Sequence, residues 1–496
     1  MNKEVPAHTT FSSVVSRESV RLSFLLATIN GLDLLMGDIS NAYLHAEPRE
    51  KVHVQVGPEL FGPSSEGQTA IIVKALYGLK SSGAAWRYHF STYLRNHLKF
   101  KATSADPDVY FKKMIRKNGT KYYAYILVYV DDILVINEDP HSTLNEIKET
   151  FIVKKDSIKY PDVYLGMDIR KRTDKQTGKE YMLTGSNTYT KRAIDTIKTQ
   201  MKQDGLTFNN NPKQPFSVVA YRAELDSSPF CNDIKSVYYM QLIGILRWMC
   251  ELGRIDIVYE TAILSRYSIQ PRTGHLEQLL HIFHYLDKHD NSWLPIDSRK
   301  LNINWDGENS SDPWERTKFM NEIYPDAIEE LPHDMPEPLG ESVQINTFVD
   351  ADHAGDKLTR RSQTGILIFC NMTLINWSSK KQNTVETSTF GSEMVALRNA
   401  TELIISLRYK LRSFGVPIDG EANIFCDNDA VVKTTSSADA TLKKKHCSVS
   451  YHRIRESVSA GIIIILYEST STNLADLLTK SLNCVTRREL MSGIFA

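Results

Sequence analysis

The chain has little of several features that mark particular classes of protein. Its six cysteines are scattered without close pairing, which argues against a disulfide framework and for reduced thiols. The longest purely aliphatic run, residues 462–466, is far too short to cross a bilayer. Residues 1–10 lack the apolar stretch of a secretory signal. We therefore predict an intracellular protein without a membrane segment.

Net charge is also absent, because 59 basic residues balance 59 acidic residues. Charge balance gives no support for nucleic-acid binding, which usually requires a basic surface. The distribution is uneven, however, since the charged residues of 74–117 are all basic except Asp106 and Asp108, and the same stretch contains Trp86, Tyr88, Phe90 and Tyr93. Such a run suits phosphates and stacked bases. More often, however, the charged residues of such a run form a solvated face and its aromatic residues lie in the core.

A length of 496 residues predicts several domains rather than a single hydrophobic core. Residues 306–341 are acidic and contain five prolines, a composition typical of a tether or insertion. This tether separates a long first part from a C-terminal block of domain size. Each part contains its own set of carboxylates.

The first set lies in an apolar run. Residues 122–137 predict two buried strands that meet at a tight turn containing Asp131 and Asp132. Residues 32–38 predict a strand that ends at Asp38, followed by a helical turn. Carboxylates in such surroundings are costly to bury unless a cation neutralises them, and three of them can hold two Mg²⁺ ions. An isolated Asp pair, in contrast, is more often a simple turn.

The amino-acid sequences of these segments resemble those of the reverse transcriptase in copia-type LTR retrotransposon Pol polyproteins. Residues 37–44 resemble polymerase motif A, residues 74–86 motif B, and residues 129–132 motif C. Residues 164–166 are similar to the primer-grip turn. The helical apolar spacing of residues 238–288 resembles the thumb and connection of that family.

The resemblance implies an RNA-directed DNA polymerase that extends a DNA primer on an RNA template with dNTPs. Asp38, Asp131 and Asp132 would be the catalytic ligands of two Mg²⁺ ions, with Mn²⁺ as an alternative. A ring at Tyr43 would clash with the 2′-hydroxyl of a ribonucleotide. Without the resemblance, Tyr43 is an ordinary core aromatic. The implied substrate-binding residues of this part are Tyr43, Tyr77, Gly78, Lys80, Tyr129, Leu165 and Gly166.

The second carboxylate set follows the tether. Residues 344–350 predict a strand ending at Asp350, and residues 365–377 predict two further strands that turn near Asn371. An apolar stripe in residues 397–414 predicts a helix, with Glu393 one turn earlier on its buried edge. A further strand ends at Asp427. Asp476 lies in a final short helix, residues 474–482.

This order of elements resembles the ribonuclease H fold. It implies that Asp350, Glu393, Asp427 and Asp476 hold a second pair of Mg²⁺ ions for cleavage of the RNA strand in RNA–DNA hybrids. Each acid alone is more often structural. A basic stretch begins at residue 443, and its candidate hybrid-binding residues are His446, His452 and Arg453. The pattern does not choose between the two histidines, and a surface histidine without a role is the alternative for either.

The fold class predicted is therefore α/β (α+β), with four segments. Residues 1–158 would form a palm with truncated fingers, residues 159–300 the primer grip, thumb and connection, residues 301–343 the tether, and residues 344–490 a ribonuclease H-like mixed sheet. No membrane partner is expected. Family behaviour implies cytoplasmic particles and the nucleus.

Two alternatives remain open because motif A begins at Gly37, whereas family members carry a longer basic fingers segment before it. One is a remnant with ribonuclease H activity only. The other is a non-catalytic nucleic-acid-binding subunit. A homodimer or a partner chain would then supply the missing elements. The seven intact carboxylates favour a working enzyme.

Overall fold

The structure, a computed structural model, describes residues 10–173, 178, 180–205, 207, 208, 212–290, 292–302, 317 and 319–495. Part of the predicted tether, residues 303–316 and 318, lies outside the described residues. The chain divides into two compact units. The first consists of Met1–Pro161, Met335–Glu341 and Lys410–Pro417, and the second of Asp162–Asp334, Ser342–Tyr409 and Ile418–Ala496.

The first unit contains a five-stranded antiparallel sheet of order β1-β7-β6-β5-β4 and a separate β2-β3 ribbon. Its strands are β1 Asp33–Asp38, β2 His53–Gln55, β3 Thr69–Ile71, β4 Lys101–Ala102, β5 Val109–Ile115, β6 Lys121–Tyr129 and β7 Asp132–Asn137. Its helices are α1 Arg17–Asn30, α2 Pro58–Phe61, α3 Ser82–Asn96 and α4 Pro140–Lys148.

The core of this unit explains the aromatic residues of the basic run. Trp86 and Phe90 of α3 stack at a centroid distance of 5.2 Å, and Phe151 lies edge-on against both. Tyr93 is buried against the same ring. Only Tyr88 of the four is exposed, at 60%. Three of these four side chains therefore pack in the core. This agrees with the alternative interpretation of the basic run, in which its aromatic residues belong to the core.

The second unit contains two sheets and most of the helices. A four-stranded antiparallel sheet has the order β11-β10-β9-β8. Its strands are β8 Val163–Tyr164, β9 Met167–Thr173, β10 Glu180–Gly185 and β11 Trp293–Ile296. The helices of this part are α5 Asn187–Gln203, α6 Asp233–Leu252, α7 Val258–Leu264, α8 Thr273–Lys288 and α9 Met320–Ile323.

The remaining sheet is mixed, with the order β14-β13-β12-β15-β16. Strands β12, β13 and β14 pair antiparallel, whereas β15 runs parallel to both β12 and β16. The strands are β12 Ile345–Asp352, β13 Gln363–Cys370, β14 Thr373–Lys381, β15 Ala422–Cys426 and β16 Ile463–Tyr467. The helices are α10 Thr389–Ser413, α11 Asp429–Ser436, α12 Ser448–Ser459 and α13 Cys484–Ser492.

The predicted mixed α/β class and the predicted order of elements in this sheet are confirmed. Asn371 forms the predicted turn between β13 and β14 with a φ of 54°, and Gly415 follows α10 with a φ of 74°. The prediction for the last helix is wrong. Asp476 lies in a short 3-10 helix, Leu474–Leu478, and α13 comes after it. Helix α13 buries only Arg487 and Leu490, so its sequence lacks a clear apolar stripe.

Helices α5 to α8 share an apolar core that continues to the mixed sheet through Leu367, Phe369 and Leu374. In the described part of the chain, no helix is both long enough and apolar enough to span a bilayer.

His284 of α8 is buried in the second unit and should make its stability depend on pH. Its ring packs edge-on against Phe208 at 4.3 Å, and neither ring nitrogen has a hydrogen-bond partner among the described residues. Burial, with a smaller effect of His281, lowers the pKa of His284 to about 4. The unfolded chain therefore takes up a proton below about pH 6.5 that the folded chain resists. This stability is complete above pH 6.5 and is lost as the pH falls towards 4.

We expect the free energy of unfolding to fall by about 2 kcal/mol between pH 7 and pH 5 on account of this residue. His284→Phe keeps the ring contact and should remove that part of the pH dependence, as measured by urea unfolding at both pH values. His141→Phe, at an exposed position, is the control. Equal pH dependence in the wild type and His284→Phe would contradict the assignment.

Candidate active sites

The carboxylates of the first unit come together through the register of two strands. Antiparallel pairing of β1 with β7 places Asp38 directly opposite Asp132. Asp131 lies in the turn between β6 and β7, next to Val130, whose φ of 60° is unusual for a β-branched residue. Two hydrogen bonds hold this turn. Trp86 Nε1 donates to the Val130 carbonyl at 2.7 Å, and the Ile39 amide donates to the Asp131 carbonyl at 2.9 Å.

The electrostatics of this centre show that the carboxylates repel one another. Burial, with Asp131 and Asp38, raises the pKa of Asp132 to about 6. Asp38 Oδ1 is buried and has no hydrogen-bond partner in the described part of the chain. Asp38 Oδ2 lies 2.6 Å from Lys154 Nζ. A cluster of this kind is stabilised by bound cations.

Lys154 was not identified from the sequence, because nothing in its own segment marks it. Two isolated bridges, Ile39–Val153 and Met36–Lys159, bring the segment beside β1. The Lys154 amide then donates to the Asp38 carbonyl at 2.9 Å. Only this long-range pairing places the ammonium group at the carboxylates.

The predicted nucleotide-binding residues of the first unit lie around the same end of the sheet. Tyr43 belongs to the 3-10 helix Ala42–His45, and its ring centroid is 4.5 Å from that of Tyr77. Burial, Tyr77 and Asp131 all raise the pKa of Tyr43. Gly78 has a φ of 98°, so the turn after Tyr77 favours glycine. Tyr129 ends β6 and pairs with Asp132.

Beside motif B there is a cavity of about 410 Å³ with basic and aromatic walls. Arg49 lies over the ring of Tyr88 at 5.0 Å. Lys80 is exposed just before α3. The residues that line this cavity include His45, Glu47, Arg49, Lys74, Tyr88 and His89.

Leu165 and Gly166 form the tight turn between β8 and β9 in the second unit. Their φ values are 49° and 81°, so both residues adopt the left-handed conformation. A Cβ atom on Gly166 would lie 3.2 Å from Trp248 Cζ2. Glycine at this position therefore serves both the turn and the close approach of the indole ring.

The four carboxylates predicted after the tether form one cluster in the second unit. Oxygens of Asp350, Asp427 and Asp476 lie within 4.8 Å of one another, and Glu393 makes a similar group with Asp427 and Cys426. Asp350 belongs to β12, and Asp427 follows the parallel strand β15. Glu393 projects from α10 and accepts a hydrogen bond from the Ala351 amide at 3.2 Å.

Burial and mutual repulsion dominate the electrostatics of this second cluster. Burial, Asp350 and Asp427 raise the pKa of Glu393 well above its usual value. Burial and Asp350 raise the pKa of Asp476 to about 7, although Lys480 Nζ lies 2.7 Å from its Oδ1. Glu393 Oε2 is buried without a hydrogen-bond partner among the residues that the structure describes. Glu393 Oε2 is therefore available to bind a cation.

Hydroxyl groups orient two of these acids. The Thr479 hydroxyl donates to Asp350 Oδ2, and the Thr470 hydroxyl donates to Asp427 Oδ2 at 2.8 Å. Gly365 allows the segment carrying Thr479 to approach the sheet, since a Cβ atom there would lie 2.8 Å from the Ala475 carbonyl oxygen.

The three basic residues proposed for hybrid binding occupy different surroundings. His446 Nε2 lies 3.5 Å from Glu386 Oε2. His452 Nδ1 is 2.7 Å from the Tyr324 hydroxyl. Arg453 Nε donates to Glu402 Oε1 at 2.9 Å. Their roles in binding a hybrid stay predictions.

Comparison with known proteins finds similarity to a polymerase family in the first unit and in the beginning of the second. Residues 3–198 match the family model described as "Reverse transcriptase (RNA-dependent DNA polymerase)". Over 478 residues the chain is 25% identical to "Retrovirus-related Pol polyprotein from transposon RE1" of Arabidopsis thaliana, covering 96% of this chain and 28% of the relative. It is 26% identical over 483 residues to the corresponding polyprotein "from transposon TNT 1-94" of Nicotiana tabacum, covering 95% of this chain and 31% of the relative.

The chain thus spans less than a third of the length of these relatives. Among solved structures, the N-terminal RNase H domain of a Mycobacterium tuberculosis protein aligns with 30% of this chain and 98% of that domain, at 14% identity and a TM-score of 0.22. The predicted resemblance to copia-type polyproteins is confirmed: residues 3–198 match the reverse transcriptase family model, in a chain that is similar to retrotransposon Pol polyproteins over almost all of its length.

Proposed function

We propose that this chain copies RNA into DNA at the carboxylates of its first unit and cleaves the RNA strand of RNA–DNA hybrids at those of its second. The observation that carries the polymerase proposal is the pairing of β1 with β7. It sets Asp38 opposite Asp132 and beside the Asp131 turn, inside a reverse transcriptase domain. Three carboxylates that repel one another at the end of a buried sheet are poorly explained by packing alone.

Both centres fit a hard divalent cation. Oxygen is the ligand that Mg²⁺ prefers, and Asp38 Oδ1 and Glu393 Oε2 are buried oxygens that lack a hydrogen-bond partner within the described residues. We propose two Mg²⁺ ions for each centre, with Mn²⁺ as a substitute. Such ions stabilise the attacking and leaving oxygens of an in-line displacement.

In the first centre, Asp38, Asp131 and Asp132 would hold these ions. Lys154 adds a positive charge at the edge of the centre, against Asp38. Tyr43, which packs on Tyr77, would limit the space beside the sugar and so favour dNTPs over ribonucleotides. Gly78 would allow the backbone to approach the nucleotide closely, with Lys80 and Tyr129 nearby.

The template and primer would bind surfaces that offer positive charge to phosphates and aromatic rings to bases. The cavity beside motif B offers Arg49 and Lys74 to phosphates and the exposed ring of Tyr88 to a base. The turn at Leu165 and Gly166 is the proposed primer grip. The segments 1–158, 159–300 and 344–490 are the proposed palm, thumb with connection, and nuclease.

In the second centre, Asp350, Glu393, Asp427 and Asp476 would hold the ions. The hydroxyl groups of Thr479 and Thr470 orient Asp350 and Asp427, and Lys480 offsets part of the negative charge. His446, His452 and Arg453 remain the proposed contacts of the hybrid backbone.

The proposal is tested by giving one preparation two substrates, a primed RNA template with dNTPs and a labelled RNA–DNA hybrid. Both reactions are expected with Mg²⁺ and neither with EDTA. Hybrid cleavage without primer extension would instead support the nuclease-only alternative. Binding of both substrates without either reaction would support the non-catalytic subunit.

Asp350→Asn is expected to reduce hybrid cleavage at least about a hundred-fold, since each metal-binding carboxylate supports several kcal/mol of transition-state stabilisation. Primer extension should be unchanged, because the other carboxylate centre is intact. The measurement is the initial rate of cleavage of the labelled hybrid.

Asp429→Asn is the matched control for that variant. Asp429 lies in the first turn of α11, two residues after Asp427, but is exposed and pairs with Lys433 at 2.7 Å. It should retain full cleavage. Cleavage that survives Asp350→Asn as well as Asp429→Asn would show that the nuclease centre lies elsewhere.

A further inference from the structure

A third group of candidate metal ligands lies in the second unit, and of its members only His446 has a part in the proposed activities, as a contact of the hybrid backbone. Single donor atoms of Glu386, His446 and Cys447 all lie within 4.8 Å of one another. Glu386 belongs to the loop between β14 and α10, whereas His446 and Cys447 form part of the 3-10 helix Lys445–Cys447. Two segments distant in sequence therefore bring an oxygen, a nitrogen and a sulfur together.

This donor set differs in kind from that of the carboxylate centres. Thiolate and imidazole favour Zn²⁺ and similar borderline-soft cations, whereas Mg²⁺ takes oxygen ligands. The separation of 3.5 Å between His446 Nε2 and Glu386 Oε2 matches two ligands on one tetrahedral ion, whose bonds are about 2.0–2.2 Å long. The Cys447 thiol is buried and close enough to supply a third bond after a small adjustment.

The carboxylate is also oriented before any ion binds. The Thr384 hydroxyl donates to Glu386 Oε1 at 2.9 Å, which leaves Oε2 directed at His446. Outer hydrogen bonds of this type commonly fix the ligands of metal sites. Gly391 provides the space, because a Cβ atom at that position would lie 2.7 Å from Glu386 Oε2.

We infer that Glu386, His446 and Cys447 bind one Zn²⁺-like cation. Three protein ligands leave a fourth position for water, and the half-exposed ring of His446 gives the ion a route from solvent. Binding releases the thiol proton of Cys447. The ion joins the 3-10 helix Lys445–Cys447 to the loop that leads into α10, the helix that carries Glu393.

Co²⁺ is the probe, because a cobalt–thiolate bond gives a near-ultraviolet charge-transfer absorption that oxygen-only sites do not give. The full chain is titrated with Co²⁺ in excess Mg²⁺, which occupies the oxygen sites. We expect one equivalent to produce the absorption. His446→Ala and Glu386→Gln should each weaken Co²⁺ binding at least tenfold, and Cys447→Ser should abolish the absorption.

Cys231→Ser is the matched control, since Cys231 is a partly exposed cysteine outside the cluster, and it should leave the titration unchanged. Cys426 is a second thiol beside carboxylates, so Cys426→Ser is titrated as well. No absorption in the wild type overturns the inference. So does absorption that persists in Cys447→Ser or disappears in Cys426→Ser. His446→Ala changes a half-exposed side chain, so its effect does not depend on whether Cys447→Ser folds.

Discussion

Asp38→Asn is expected to reduce primer extension about a thousand-fold, which corresponds to a loss of about 4 kcal/mol of transition-state stabilisation. The carboxamide keeps the shape of the side chain but removes one of three charges at the end of β1 and β7. It also removes the partner of Lys154, which lies 2.6 Å from Asp38 Oδ2. The measurement is kcat/KM for dNTP incorporation on a primed RNA template with Mg²⁺.

Asp33→Asn is the control for this variant because Asp33 begins the same strand. It is exposed and pairs with Asn137, at the opposite end of β1 from Asp132. Its extension rate should equal that of the wild type. Hybrid cleavage by Asp38→Asn should also be normal, which shows that its second unit is folded. Extension that is equally fast in Asp38→Asn and Asp33→Asn would exclude the proposed polymerase centre.

The strands that form this centre could be predicted from local patterns. The apolar run of β6 and β7 contains a single polar interruption, so the turn at Asp131 could be placed within a residue or two. The position of Asp38 opposite Asp132 could only be suspected. Register depends on pairing between segments almost a hundred residues apart, which periodicity within one segment does not encode. The family motifs supplied that link.

In the nuclease centre, too, local sequence patterns predicted the elements, whereas contacts between remote segments could not be predicted. The apolar stripe of α10 correctly predicted that Glu393 lies on the buried edge of the helix, where it is 5% exposed. Lys154 and Glu386 were missed, because each gains its chemical partner through a contact between remote segments. Helix α13 was missed for a related reason, since its main buried group is an arginine rather than an apolar side chain.

That arginine belongs to a cluster of buried charges in the second unit. Arg487 Nη2 donates to Glu260 Oε1, and its Nη1 donates to the Asp256 carbonyl. Asp256 is in turn paired through both its carboxylate oxygens with Arg254, at 2.9 and 2.7 Å. All four side chains are almost completely buried. Each charge therefore depends on its partners for the interactions that water would otherwise provide.

Arg487→Ala is expected to lower the free energy of unfolding by about 3–5 kcal/mol, because it leaves Glu260 buried without its counter-ion. Burial already raises the pKa of Glu260 against the opposing effect of Arg487. The measurement is native-state hydrogen exchange of α7, the helix that carries Glu260. Arg488→Ala, at the exposed neighbouring position, should change this stability by less than about 0.5 kcal/mol.

Replacing both partners distinguishes a lost ion pair from a lost packing contact. Arg487→Met combined with Glu260→Met removes both charges and keeps most of the volume, so it should recover most of the stability that Arg487→Ala loses. If the loss came only from packing of α13, the single variant Arg487→Met, which keeps that volume, would be as stable as the double variant. Equal stability of Arg487→Ala and Arg488→Ala would mean that the buried pair contributes nothing. An uncompensated Glu260 charge predicts instead that the double variant is more stable than Arg487→Met, because only the double variant removes the buried carboxylate that lacks a counter-ion.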